Sequence, residues 1–165
     1  MEWISPVSTA LGAVIGIGST LVTDRLRWRR ERAGQSLDVR RQLYAEYTAA
    51  LSRTRTALDE CAREEGHGEE RRQRVREVFL APGAYEIRHQ LAIVAPREIV
   101  DAARSAFLVL RDTRDLLVAG AADADGPVAG SPAYRGLEDR LDRALAELRA
   151  VMRQDLGAVD SITRR

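Results

Sequence analysis

Residues 37–65 read LDVRRQLYAEYTAALSRTRTALDECAREE, and the spacing of their apolar side chains decides the fold. Tyr44, Tyr47, Leu51, Thr54, Leu58 and Cys61 recur at intervals of three and four, the period of one face of an α-helix. Arginines and carboxylates fill five of the twelve positions between them, and alanine, serine and threonine fill the rest. A half-buried strand would alternate at every second residue, which this stretch does not do. The heptad-like seam lasts less than about four heptads, so packing within a bundle is favoured over a coiled coil. Gly66, His67 and Gly68 then mark the first turn.

The same period carries through the rest of the chain. A second, highly charged helix begins near Glu69 and turns Val75, Val78 and Phe79 inward until Pro82-Gly83 interrupts it. Residues 84–94 satisfy two patterns. Tyr85, Ile87, His89, Leu91 and Ile93 alternate as a strand would, while Ala84, Ile87, Leu91 and Val94 make a helical stripe. A lone strand would leave its ladder groups unpaired, and no second strand is visible, so helix is the reading.

Ala95-Pro96 restarts the chain, with proline at the favoured first helical position. Ile99, Ala103, Ala106, Leu110 and Leu117 then line one face, widened by Val100 and Phe107. Residues 120–133, GAADADGPVAGSPA, read as an exposed loop. Ser131 caps and Pro132 opens a last helix whose stripe runs through Leu137, Leu141, Ala144, Leu145, Leu148, Met152 and Leu156. Gly157 is expected to end it, leaving 158–165 as a frayed tail. Amphipathic helices joined by short turns predict an all-α fold: an antiparallel bundle of three to four helices over residues 37–157.

Upstream, residues 3–23, WISPVSTALGAVIGIGSTLVT, carry no charge. As a helix they would be about 31 Å long, matching the hydrocarbon core of a bilayer. Residues 1–23 are therefore read as a transmembrane helix and 24–36 as an arginine-rich juxtamembrane segment. Arg25, Arg27, Arg29, Arg30 and Arg32 lie on the C-terminal side of the apolar run, so the positive-inside rule places the bundle in the cytoplasm. Trp3 and Trp28 fall at the two expected membrane interfaces. Each arginine close to an anionic leaflet contributes about 1 kcal/mol, which makes membrane lipids the first expected partner.

Two rivals compete with a membrane span. A cleaved signal peptide wants positive charge before the apolar run and an A-x-A-like site after it, and neither is seen here. The second rival is a soluble subunit whose N-terminal helix docks into a larger assembly, because serines, threonines and glycines make the span weakly hydrophobic. Ser8, Gly12, Gly16 and Thr20 recur every four residues, a small-residue stripe of the kind that lets membrane helices pair, so a homo-oligomer is a further expectation.

Composition narrows the chemistry. The 26 basic residues are all arginine and nearly balance 25 acidic ones, giving a net charge of +1 and no strong field to draw the chain onto nucleic acid. Without lysine there is no Walker-type phosphate loop, no Schiff-base amine and no Ser-x-x-Lys nucleophile. Asparagine is absent too, and the pair of absences fits a GC-rich genome. The single cysteine, Cys61, forms neither an intrachain disulfide nor a thiolate zinc site, and its place on the apolar stripe marks a buried thiol.

Glu64/His67 and Glu86/His89 repeat the Glu-x-x-His spacing of di-iron bundles. His67, however, lies between two glycines in a turn, and Asp112, Asp115, Glu138, Asp142 and Glu147 fall off the apolar stripes. The acidic pairs Glu64-Glu65, Glu69-Glu70 and Asp123/Asp125 read as solvated turns and helix ends, with no EF-hand spacing around Gly126. Arg71, Arg72, Arg74 and Arg76 form a basic cluster without aromatic stacking platforms and read as a solvated face paired with glutamates. No catalytic, cofactor-binding or metal-binding residue is predicted.

RRQLYAEY at 40–47, APREIVDAA at 95–103 and MRQDLG at 152–157, behind a short apolar helix and arginine collar, resemble a common type of small actinobacterial membrane protein. The resemblance covers nearly the whole chain and implies an anchor plus a helical bundle, with no activity attached. The resulting expectation is a non-enzymatic, membrane-tethered interaction module with an unidentified protein partner. The alternatives are a docked soluble subunit or a metal-binding bundle.

Overall fold

The computed structural model describes residues 37–64, 68–121 and 128–163. The expected transmembrane helix, the arginine collar, Trp3, Trp28 and the stripe Ser8, Gly12, Gly16 and Thr20 lie outside them. Among the described residues no helix is long and apolar enough to cross a membrane. Contacts divide the chain into two units, Met1–Val39 and Arg40–Arg165, and the second of these is the bundle.

Every regular element among the described residues is a helix. Helix α1 covers residues 37–63, and α2 (Gly68–Leu80), α3 (Ala84–Val94), α4 (Arg97–Gly120) and α5 (Pro132–Thr163) follow. Gly68 N–H donates to the Ala121 carbonyl at 3.0 Å, and Phe79 packs on Phe107 with ring centroids 5.5 Å apart. These two contacts set α2 antiparallel to α4. Tyr44 meets Asp155 while Asp59 meets Tyr134, which sets α1 antiparallel to α5. The bundle therefore has four legs, the second split into α2 and α3.

Pro82-Gly83 makes that split. Proline has no amide hydrogen to continue α2. Gly83 takes φ +73°, a left-handed conformation open to glycine at little cost, and its carbonyl accepts from Ile87 N–H to start α3. The ambiguous residues 84–94 are helical, with Ala84 and Leu91 buried and Ile87 packed on the core. Val94, expected to face inward, is exposed, as is Ile93.

The six positions that set the α1 stripe are all buried. Five of them, all but Thr54, meet Ile99, Ala103, Ala106, Leu110 and Leu117 of α4 and Leu141, Leu145, Leu148 and Met152 of α5 in one apolar core. Each fully buried leucine among them contributes roughly 1.5–3 kcal/mol. Pro96 is the cap of α4 and not its first residue, its carbonyl accepting from the amides of Ile99 and Val100. Ser131 caps α5 as expected, its Oγ accepting from Tyr134 N–H at 3.1 Å.

Two further expectations are corrected. Helix α5 does not end at Gly157 but runs to Thr163. Gly157 lacks the positive φ that a helix-ending glycine needs, and a helical glycine costs only about 1 kcal/mol relative to alanine. The connection into α5 is also not simply exposed. Ala129 N–H donates to the Ala62 carbonyl at 3.1 Å, and Val128 packs against Gly120 so closely that a Cβ there would lie 2.6 Å from Val128 Cγ2.

Candidate functional site

Two polar clasps hold α1 against α5. In the first, Tyr44 Oη donates to Asp155 Oδ2 at 2.8 Å, and Arg40 Nη1 reaches the same carboxylate at 3.0 and 3.2 Å. In the second, Tyr134 Oη donates to Asp59, while Arg55 lies 3.9 Å from Asp59 and also bonds Asp142 on α5. A third tyrosine, Tyr47, donates to the Ala103 carbonyl at 2.8 Å and ties α1 to α4. Burial raises the pKa of all three phenols above its ordinary value. Hydrogen bonding to the carboxylate adds to the rise at Tyr44 and Tyr134.

The basic cluster on α2 divides. Arg72 and Arg76 pair with Glu69, and Arg74 with Glu64, on the surface as expected. Arg71 is the correction: it is only 8 % exposed, and its guanidinium donates to the carbonyls of Cys61 and Glu64 at 2.9 and 2.6 Å. Those carbonyls lie in the last turn of α1 and just beyond it, where oxygens lack intrahelical partners, and a flat fork of donors satisfies two of them together.

Cys61 is buried among the core side chains. Burial first, and then the nearby Glu64, raise its thiol pKa, the opposite of what activates a nucleophile. His89 is exposed on α3 with its ring edge-on to Tyr85 at 4.6 Å. His67, Asp123 and Asp125 lie outside the described residues. Three of the five carboxylates expected off the stripes pair with arginines: Asp112 with Arg111 and Arg140, Asp115 with Arg114, and Asp142 with Arg55. Among the described residues no three metal-ligating side chains converge.

Among the hollows on the bundle surface, two lie between described helices. The smaller, about 380 Å³, lies between α2 and α4, where the Arg114 guanidinium covers the Phe79 ring at 4.7 Å. The larger, about 580 Å³, runs between α1 and α5. Ala45, Thr48, Ala49 and Ser52 of α1 form one wall, Met152 and Leu156 of α5 the other, and Arg41, Arg149 and Arg153 the rim. Thr48 Oγ1 is already bonded to the Tyr44 carbonyl at 2.7 Å, so apart from the exposed Ser52 hydroxyl this wall presents methyl groups. None of the lining residues is a carboxylate. The sequence reading missed this groove, because its two walls are about 100 residues apart in the chain.

No family model, curated protein or solved structure matches the chain.

Proposed function

We propose that this protein is a non-enzymatic, membrane-tethered helical interaction module with its bundle on the cytoplasmic side. The observation that carries the reading is the groove between α1 and α5, an apolar trough open to solvent and rimmed by arginine. Exposed apolar concavities of this kind suit macromolecular partners. The buried polar side chains support the same reading. Thr54, Arg71 and Thr113 each bond backbone carbonyls, and the three buried tyrosines bond carboxylates or a carbonyl. Groups so engaged have partners within or between helices and leave little to act on a substrate.

The tether rests on the uncharged run at 3–23 and the arginines that follow it. Pairing of two chains through Ser8, Gly12, Gly16 and Thr20 belongs to the same proposal. Alkaline carbonate extraction of native membranes tests the anchor, and cross-linking within those membranes tests the pairing. The chain is expected to stay in the pellet and to yield a dimer that Gly12→Leu or Gly16→Leu abolishes. Release into the supernatant would instead favour a soluble subunit docked through its first helix.

A further inference from the structure

We propose that the groove between α1 and α5 receives an acidic amphipathic helix of a partner protein, an inference that rests on the interaction-module reading and adds the occupant. The walls suit a helix. Ala45, Ala49 and Ser52 fall at helical spacing along one wall, and short side chains there allow a third helix to approach α1 and α5 at the 8–10 Å typical of packed helices. The apolar stripe of such a guest would seat on Met152 and Leu156.

Charge selects the guest's flanks. Arg149 and Arg153 stand on the rim about one helical turn apart, both exposed, and neither makes an ion pair among the described residues. The nearest clasp carboxylate, Asp155, is already bound by Arg40 and Tyr44 and leaves the rim positive. A second copy of this chain pairing through the same face in a two-fold dimer would bring arginine rims together, an arrangement that like-charge repulsion disfavours. Glutamates or aspartates one turn apart on a foreign helix would meet both arginines and fix the register.

The test uses the full chain in phosphatidylcholine nanodiscs and two fluorescent helical peptides. Both peptides carry the same leucine stripe; one is flanked by glutamates and the other by arginines. The glutamate peptide is expected to bind at least about tenfold more tightly, with affinity falling as salt rises. Arg149→Glu with Arg153→Glu should reverse the order of the two peptides, and Ser52→Trp, which fills an exposed part of the trough, should weaken the glutamate peptide.

Equal binding of the two peptides would overturn the proposal, as would indifference to the charge reversal or to Ser52→Trp. So would binding of phosphatidylglycerol vesicles, and not of the glutamate peptide, through the same two arginines, since that would assign the face to lipid. A carbonate-resistant chain that cross-links to a partner through another face would leave the interaction module standing and remove only this inference. Release of the chain by carbonate, with the glutamate peptide still bound, would remove the membrane tether and leave this inference standing.

Discussion

Tyr44 and Asp155, 111 positions apart, share a 2.8 Å hydrogen bond that closes α1 onto the last turns of α5. Arg40 binds the same carboxylate, and the two charged side chains are only 14 % and 12 % exposed. Asp155 is thus the hub. Tyr44→Phe removes one bond and leaves the ion pair, a loss of about 1 kcal/mol. Asp155→Ala strands both the phenol and the guanidinium and should cost about 2–3 kcal/mol. Urea melts of the two variants check the order, and a larger loss for Tyr44→Phe would contradict it.

Two glycines should respond to alanine with opposite signs. Gly83 holds φ +73° between α2 and α3, so a side chain there is strained and Gly83→Ala should destabilise by about 1–2 kcal/mol. Gly136 sits within α5, and a methyl group there would meet nothing within 4 Å. Gly136→Ala should therefore stabilise by about 0.5–1 kcal/mol, through helix propensity and a less flexible unfolded chain. Thermal melts followed by circular dichroism separate the two, and a shift of the same sign in both would refute the assignment.

The α1 stripe was legible because six apolar positions at a strict 3–4 spacing can bury together only on a helix. The α4 and α5 stripes followed by the same argument. Residues 84–94 were less legible, since alternation and helical spacing coincide there, and only the want of a partner strand decided between them. Arg71 looks like its arginine neighbours in composition. Its distinguishing mark is position: it lies one turn before Val75, on the inward face of α2, where an arginine must find oxygen acceptors. The anchoring of Ala129 on Ala62 is a backbone contact with no side-chain signature. The groove combines short side chains on α1 with arginines on α5, and only the antiparallel packing of those helices brings them together.

Arg71 carries a prediction of its own. Arg71→Met keeps much of the packing but leaves the carbonyls of Cys61 and Glu64 without their donors, at a cost of about 1–3 kcal/mol. Arg71→Lys should recover only part of this, because a single ammonium does not reproduce the planar fork. Amide hydrogen exchange should rise first in the last turn of α1, and uniform exchange across the bundle would argue against a capping role.

The buried phenols predict an alkaline limit on stability. Tyr44, Tyr47 and Tyr134 have pKa values raised above 10.0, foremost by desolvation, so the folded chain keeps protons that the unfolded chain releases. The folded state then binds more protons, and stability must fall as pH rises. Their contribution is complete below about pH 10 and declines above it, at up to about 4 kcal/mol per pH unit if all three act together. The Cys61 thiol, also raised from 9.0, adds to the slope from about one unit lower. Because the chain has no lysine, no side-chain amine titrates in this window, and arginine keeps its charge beyond about pH 12. Urea midpoints measured from about pH 8 to pH 11 should therefore fall steeply past about pH 10, and Tyr47→Phe should flatten the slope by roughly a third. A midpoint that holds constant through this range would mean the three hydroxyls are not held as the hydrogen-bond geometry describes.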